Sequence, residues 1–76
     1  MNAREILAKN VRKRRAYLGL SQDELGARAN SSGNYIGMIE RVETSASLDM
    51  IEVIAAELNI DVHELLDPDF NAKQEE

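Results

Sequence analysis

The stretch that decides the fold of this chain is residues 21–41, SQDELGARANSSGNYIGMIER. Ser21 is a favourable N-cap residue, because its hydroxyl can accept a hydrogen bond from a backbone N–H that the first helical turn leaves unpaired. Glu24 follows three residues later and completes a capping box. Leu20 and Leu25 flank the cap at the spacing of a hydrophobic staple. These signals predict that a helix begins directly after Ser21.

A second short helix is predicted within the same stretch. The first helix is expected over about 22–29, and Ser32 can cap a second helix over about 33–41. The apolar residues Ile36 and Ile39 of this second helix lie on one face. Two short helices separated by about three residues form the helix-turn-helix pattern. The usual role of its second helix is to enter the major groove of DNA.

The composition excludes several classes of protein. The chain has 76 residues, which suits a single domain, and it contains no cysteine and one histidine. Disulfides, thiolate metal sites and multi-histidine metal sites are therefore excluded, and no cofactor or metal is expected. No apolar run approaches the roughly 20 residues of a membrane span, and charged residues interrupt the apolar N-terminal positions that a secretory signal needs. We therefore expect a cytoplasmic protein without a membrane partner.

The charge is divided unevenly along the chain. Residues 1–41 carry eight Lys and Arg residues against four carboxylates, a net +4, whereas residues 42–76 carry one lysine against ten carboxylates, a net −9. The total of −5 therefore combines a basic half that can face phosphates with an acidic half that can face solvent. Because the acidic half weakens long-range attraction to DNA, a single copy is expected to bind DNA weakly.

A further helix is predicted before this stretch, over about residues 3–18. Asn2 and Glu5 have the spacing of an N-cap signal, and Gly19 can end the helix in a left-handed conformation. The side chains that form its apolar stripe are those of Leu7, Val11 and Leu18.

One arginine of this helix is expected to face inward. Arg15 falls near the apolar stripe, whereas the three cations at positions 12–14 are expected to lie away from it. Glu40 falls beside Ile39 on the inner face of the third predicted helix. Because an unpaired buried charge is costly, we predict that Arg15 and Glu40 form an ion pair. The alternative is that both side chains are half-exposed.

Two more helices are predicted in the C-terminal half. Ser47 can cap a helix that carries the clearest apolar stripe of the chain, and a capping signal at Asp61 predicts a short helix over about 62–66. No segment has the alternating pattern of a strand. The sequence therefore predicts an all-α, five-helix domain over residues 1–69, and residues 70–76 are expected to be disordered.

These elements follow one another in a familiar order over about residues 6–67. The residues that carry the likeness are Arg15, Gly19-Leu20-Ser21-Gln22, Glu24-Leu25, Ala29, Ser32, Ile36, Ile39-Glu40-Arg41, Ser47-Leu48, Ile54-Ala55, Leu58 and Leu65-Leu66. In these residues the chain resembles the Xre/Cro-type helix-turn-helix family, the phage-repressor-like DNA-binding domains. The resemblance implies a five-helix phage-repressor-like fold that binds double-stranded DNA.

The resemblance also implies which residues meet DNA. Gln22 would contact a phosphate at the start of the second helix. The third helix would be the recognition helix, on which Asn34 can pair with an adenine and Arg41 with a guanine or a phosphate. Met38 can offer an apolar contact to a thymine methyl, and Tyr35 either contacts a phosphate through its hydroxyl or packs. The other expected DNA contacts are Ser32, Gly33, Gly37, Thr44 and Ser45.

Three residues, Gly33, Gly37 and Met38, depart from the polar or basic residues that the family often has at its reading positions. Gly33 and Gly37 each weaken a helix by roughly 1 kcal/mol relative to alanine. Either they allow a close approach to DNA, with specificity drawn partly from DNA shape, or the helix reads DNA poorly. Val42 and Glu43 stand where the family often has a glycine and a basic or polar residue, and Glu43 would repel phosphates.

Apolar residues late in the chain suggest an interface between two copies. Family members usually bind a two-fold operator as dimers. We therefore expect the last two helices, about 48–66, to form a symmetric dimer interface with Phe70. The alternative is that Leu66 and Phe70 fold back on the core of their own chain. The residues expected in the interface are Met50, Val53, Val62, Leu66 and Phe70.

The preferred hypothesis is a sequence-specific transcription regulator that acts as a small homodimer on a two-fold operator. Stand-alone members of the family resemble phage repressors, restriction–modification controllers or antitoxins, and these possibilities stay open. The alternative function is a protein-interaction module on a helix-turn-helix scaffold, which binds a protein partner through its acidic half and DNA weakly. An enzyme is not expected, because no Ser–His–Asp arrangement or phosphate-binding loop is present in the sequence.

Overall fold

The computed structural model describes residues 1–73, and within those residues it contains five helices and no strand. The helices are α1 (Ala3–Tyr17), α2 (Gln22–Arg28), α3 (Gly33–Glu40), α4 (Leu48–Glu57) and α5 (Val62–Leu65). The predicted all-α, five-helix fold is therefore confirmed.

Side-chain caps explain where the helices begin. The Ser21 hydroxyl accepts a hydrogen bond from the backbone N–H of Glu24 at 2.9 Å, and the Glu24 carboxylate accepts one from the N–H of Ser21 at 2.7 Å. Asn2 and Glu5 form the same arrangement at the start of α1. The serines that precede α3 and α4 each accept a hydrogen bond from the N–H of the third helical residue. Donors that a helix leaves unpaired are thereby satisfied.

Left-handed residues determine where four of the helices end. Within two residues of the end of each of the helices α1 to α4, one residue has a positive φ, between 57° and 73°. Glycine and asparagine, which tolerate this conformation, supply three of the four positions. The fourth is supplied by a β-branched residue, for which the conformation is strained. The four residues are Gly19, Asn30, Val42 and Asn59.

The core lies between the five helices. α2 and α3 pack closely on each other, α1 contacts α3 and α5, and α4 contacts α2 and α5. Aliphatic side chains from all five helices meet there and are almost completely buried, which provides the main favourable contribution to folding. The largest of the fully buried apolar side chains are those of Val11, Leu25, Ile36, Ile39, Ile54, Leu58 and Leu65.

Arg14 is a buried cation, and the expectation that it lies away from the inner face is wrong. Its Nε donates a hydrogen bond to the carbonyl oxygen of Leu58 at 2.8 Å, and its Nη1 donates one to the carbonyl oxygen of Ala72 at 2.8 Å. The guanidinium also lies over the ring of Tyr17, 5.2 Å from the centroid. Position 14 follows Val11 by three residues, so it shares the inner face with it.

The segment after α5 packs on the domain. Asn10 is buried in α1 and donates through Nδ2 to the carbonyl oxygens of Leu65 (3.0 Å) and Asp67 (2.8 Å). The Phe70 side chain is buried in the core, and Ala72 packs against that core. The prediction that the chain is disordered from residue 70 onward is therefore wrong for residues 70–73, because apolar burial and the hydrogen bond from Arg14 hold them. The rest of that prediction, residues 74–76, lies outside the described residues.

Candidate nucleic-acid interface

An ion pair fixes α3 against α1. Arg15 Nε donates to Glu40 Oε2 at 2.7 Å, and Arg15 Nη2 donates to Glu40 Oε1 at 3.0 Å. The Glu40 side chain is 4% exposed and that of Arg15 is 17% exposed, so little water competes for the contact. The structure thus brings together the two residues that the sequence predicts to pair. The hydrogen bond to Glu40, followed by the attraction of its charge, raises the pKa of the Arg15 guanidinium, while burial opposes the change.

The same carboxylate also holds α2. Gln22 Nε2 donates a hydrogen bond to Glu40 Oε1 at 3.1 Å, and Arg15 Nη1 donates to the carbonyl oxygen of Leu20 just before α2. α1, α2 and α3 therefore share one polar junction. The side chain expected to contact a phosphate is half-buried at this junction in the free protein.

Gly33 lies at the contact between α2 and α3, and it is not the outward-facing residue expected from the sequence. The residue is buried, and a Cβ at this position would collide with the side chain of Asp23. The glycine is therefore required for the close approach of the two helices rather than for an approach to DNA.

Gly37 is also buried, beneath the side chain of Arg41. A Cβ at this position would lie 2.8 Å from Arg41 Nη1 and 3.4 Å from Gln22 Oε1. The guanidinium of Arg41 thus lies across the α3 backbone toward α2. Both atoms lie at the ends of flexible side chains, so this contact constrains Gly37 less than the clash with Asp23 constrains Gly33. Its burial beneath Arg41 corrects its expected place on the outer face.

The outer face of α3 presents three longer side chains. Asn34 and Arg41 are exposed, Met38 is half-buried, and their spacing places them along one side of the helix. Asn34 Nδ2 lies 3.7 Å from the Met38 sulfur, a weak hydrogen-bond acceptor. The polar edge of this amide is therefore only loosely held.

Arg41 is paired with a carboxylate that follows it. Arg41 Nε donates to Glu43 Oε2 and Arg41 Nη2 to Glu43 Oε1, both at 3.1 Å. Both side chains are about half exposed, at 53% and 51%. The hydrogen bond lowers the pKa of the Glu43 carboxyl and raises that of the Arg41 guanidinium, and charge attraction acts in the same direction.

This pair was not found from the sequence, which suggested only that Glu43 would repel phosphates. Residues two apart do not face each other on a helix, so the spacing gave no signal. The contact forms because the chain leaves the helix at Val42, whose φ is +60°. The available signal was that the family often has glycine at this position, because glycine favours a left-handed turn.

The remaining expected DNA contacts surround α3. The Ser32 hydroxyl caps the helix by accepting from the N–H of Tyr35 at 3.1 Å. The Tyr35 ring is half-buried and packs against the core. Thr44 is half-buried and donates to the carbonyl oxygen of the exposed Ser45 at 3.4 Å. These residues flank the two ends of the outer face.

The residues expected to form a dimer interface are distributed differently. Val53 is 40% exposed on α4, whereas Met50, Val62 and Leu66 are half-buried. Phe70 belongs to the core of its own chain and is corrected as an interface residue, because its ring is already buried. Leu48, which was not among the side chains expected in the interface, is the most exposed large apolar side chain of α4, at 74%.

A capped helix-turn-helix pair with an exposed polar face on its second helix defines a DNA-binding domain. The family model described as Helix-turn-helix matches residues 11–65, and the chain belongs to this Xre/Cro-like family of transcription regulators. The resemblance inferred from the sequence is therefore confirmed. Its relatives are regulators rather than enzymes.

Several known proteins are similar to this chain. Control protein C.SmaI of Serratia marcescens is 39% identical over 66 residues, which cover 87% of this chain and 79% of that protein. The HTH-type transcriptional regulator SinR of Bacillus subtilis is 32% identical over 63 residues, which cover 82% of this chain and 57% of SinR. The crystal structure of the hypothetical transcription factor NHTF from Neisseria matches with a TM-score of 0.86 at 34% identity, over 90% of this chain and 78% of that one.

None of the helices in residues 1–73 has both the length and the apolar character that crossing a membrane requires. Within the same part of the chain, no three His, Cys, Asp or Glu side chains are grouped so that they could hold a metal ion.

Proposed function

We propose that the protein is a sequence-specific transcription regulator that works in the cytoplasm as a homodimer and binds a two-fold-symmetric operator. The observation that supports this best is the contrast between the two sides of α3. Its inner side is fixed to α1 by the Arg15–Glu40 pair, and its outer side presents Asn34 and Arg41. A helix held in this way can offer the same side chains to the major groove in every complex.

Each outer side chain has a distinct chemical role in this proposal. The Asn34 amide can donate from Nδ2 to N7 of an adenine and accept at Oδ1 from the N6 amino group of the same base. It would give up only a weak contact with the Met38 sulfur. Met38 is then free to contact a thymine methyl. Arg41 and Gln22 carry N–H donors that suit phosphate oxygens, and both lie at the end of the surface nearest α2.

The flanking hydroxyls would position the domain without reading sequence. Ser32 uses a lone pair to cap α3, so its own proton remains available to a phosphate. Thr44 and Ser45 lie in the loop after α3, and Tyr35 has its ring fixed in the core while its hydroxyl can reach a phosphate. Gly33 and Gly37 have no contact in this proposal, because both are buried within the chain.

Selection of bound duplexes from a random pool, at about physiological salt, tests the DNA-binding part of the proposal. Wild type and Asn34→Ala should be compared with Asn71→Ala, a matched change of an exposed asparagine after α5. We expect wild type and Asn71→Ala to enrich the same two-fold sequence, and Asn34→Ala to lose preference at one base pair of each half-site. The loss should correspond to about 1–3 kcal/mol of discrimination.

The opposite result has a defined meaning. If wild type enriches no sequence and shows only weak, salt-sensitive retention, the operator-binding proposal fails. The protein would then be better described as an interaction module for a protein partner.

A dimer would overcome the weak DNA binding expected of a single acidic chain. Met50 and Val53 lie three residues apart on α4, and Val62 and Leu66 lie four apart at α5. Because α4 and α5 pack on each other, these four residues can contribute to one surface. A two-fold operator requires two α3 helices about one turn of DNA apart, and pairing two copies through this surface is the arrangement we propose for it.

Sedimentation equilibrium tests this interface with two variants. Val53→Asp places a charge in the proposed interface, whereas Ala27→Asp makes the same type of change at an exposed apolar residue of α2, outside it. We expect wild type and Ala27→Asp to dimerise and Val53→Asp to remain monomeric. A wild type that stays monomeric at concentrations that saturate its DNA site would exclude the dimer.

A further inference from the structure

The turn after α3 holds Glu43 in a defined position. Val42 adopts the left-handed conformation, and its N–H donates to the carbonyl oxygen of Ile39 at 3.0 Å. The N–H of Glu43 donates to the carbonyl oxygen of Met38 at 2.8 Å. These two bonds reverse the chain, so that the Glu43 side chain returns to Arg41 although only one residue separates them.

One edge of the Arg41 guanidinium, formed by Nε and Nη2, is occupied in the free protein. Its Nε and Nη2 bind the two oxygens of Glu43, and its Nη1 lies over Gly37 beside Gln22. Two parallel N–H donors facing two oxygens is also the geometry in which a guanidinium binds a phosphate. A DNA phosphate and the Glu43 carboxylate would therefore compete for the same edge of Arg41.

We propose that Glu43 is an intramolecular substitute for a DNA phosphate, which keeps Arg41 occupied until DNA displaces it and so lowers the affinity for duplexes of any sequence. The inference rests on the proposed function in that α3 and its flanks face DNA. Glu43 acts here by occupying the Arg41 guanidinium and does not itself contact DNA. The gain on its removal should be the same for every sequence, since phosphates carry no sequence information.

The exposure of the pair suits an exchangeable contact. Both side chains are about half exposed, so a phosphate can approach without unfolding the turn. Exposed ion pairs contribute little to stability, and a bound phosphate can outcompete one of them. A buried pair such as Arg15–Glu40, by contrast, could not open without leaving the buried Glu40 carboxylate unpaired.

Simple repulsion by Glu43 is the rival explanation, and a double-mutant cycle separates the two. Repulsion acts on DNA directly, so removing the carboxylate should help equally with or without Arg41. Occupation of the guanidinium requires Arg41, so the benefit should disappear when Arg41 is alanine.

The experiment measures the affinity for a random-sequence duplex, by fluorescence anisotropy at several salt concentrations. The proteins are wild type, Glu43→Gln, Arg41→Ala, the double variant, and Glu52→Gln as a control that removes one exposed carboxylate from α4. We expect Glu43→Gln to bind about two- to fivefold more tightly than wild type and more tightly than Glu52→Gln. Its salt slope should match that of wild type, because Arg41 contacts a phosphate in both complexes once DNA has displaced Glu43.

In the Arg41→Ala background, Glu43→Gln should raise the duplex affinity no more than Glu52→Gln does. An equal gain with and without Arg41, or no gain at all, would overturn the proposal. Because the duplex has a random sequence, the result does not depend on an operator or on its two-fold symmetry. Failure of the operator selection with an intact Glu43→Gln effect would reject only the proposed sequence-specific function.

Discussion

Arg14 and Arg15 are neighbours in the sequence, yet they hold two different regions of the molecule by different chemistry. Arg15 links α1 to the helix-turn-helix pair through the carboxylate of Glu40, which we call the carboxylate anchor. Arg14 links α1 to the C-terminal half through the main-chain oxygens of Leu58 and Ala72, which we call the carbonyl anchor.

The two anchors differ in how they depend on sequence. A substitution at Glu40 removes the acceptor of the carboxylate anchor, so that anchor can fail at either end. A substitution at Leu58 or Ala72 leaves the carbonyl oxygen in place, so the carbonyl anchor depends on the identity of Arg14 alone. The helix-turn-helix pair is thus held by a more specific contact, and the C-terminal region by a more tolerant one.

The largest effect is expected from breaking the carboxylate anchor. Arg15→Ala should destabilise the fold by about 3 kcal/mol, because it leaves the buried Glu40 carboxylate with only the hydrogen bond from Gln22. Denaturant unfolding measures this, with Arg12→Ala as a control for an exposed arginine of α1, expected to lie within about 0.5 kcal/mol of wild type. Equal effects of the two variants would contradict the assignment.

Breaking the carbonyl anchor should have the next largest effect. Arg14→Ala should cost about 2 kcal/mol, because the carbonyl oxygens of Leu58 and Ala72 lose a charged donor in a buried site. Ala72→Ser keeps the acceptor and should stay within about 0.5 kcal/mol of wild type in the same unfolding experiment. A loss in Ala72→Ser as large as that in Arg14→Ala would show that side-chain packing, not the hydrogen bond, holds the segment.

The helix ends extend the comparison to the backbone. Val42 follows α3 and Asn59 follows α4, with the same φ of 60°. Val42→Gly should stabilise the fold by about 0.5–1 kcal/mol, because relief of strain at a β-branched residue exceeds the entropy that glycine adds to the unfolded chain. Thermal unfolding measures both variants. Asn59→Gly should change the melting temperature much less than Val42→Gly does, since asparagine tolerates this conformation. No gain in Val42→Gly would mean that Val42 contributes compensating contacts.

The smallest expected effect concerns pH. Hydrogen bonds from the backbone and the hydroxyl of Ser21 lower the pKa of the Glu24 carboxyl below its ordinary value. A lowered folded-state pKa means that the stabilisation is present above about pH 4.5 and is lost as the pH falls through the folded value. Glu24→Gln should therefore flatten the acid side of the stability–pH curve, as thermal unfolding between acid and neutral pH can show. Glu52→Gln, which removes an exposed carboxylate of α4, is the control, and an identical flattening there would reject a role for the cap.

The caps and the carboxylate anchor could be predicted because side-chain identities specify both partners. Ser21 and Glu24 lie three residues apart, which is the spacing of a capping box at a helix start. Arg15 and Glu40 are a cation and an anion that the sequence placed on inner helix faces, so each was expected to need the other. The helix-turn-helix pair and its family followed from the same kind of signal.

The carbonyl anchor could not be predicted, because every residue has a carbonyl oxygen and none is marked by its side chain. Gly33 and Gly37 were assigned to the outer face for a related reason: a missing side chain fits a close approach to DNA as well as a close approach between helices. For Phe70, the sequence left open whether its own core or a second copy covers the ring. The structure shows its own core.

The spacing of the two anchors along the chain has a consequence for the order of folding. α2 and α3 adjoin in sequence, and the carboxylate anchor spans 25 residues. The bonds of Arg14 close loops of 44 and 58 residues, and those of Asn10 close loops of 55 and 57. Longer loops cost more entropy to close, so the helix-turn-helix pair is expected to fold early and the C-terminal segment to dock last. The segment after α5 should then also be the first to open, giving its amide hydrogens the earliest exchange with solvent.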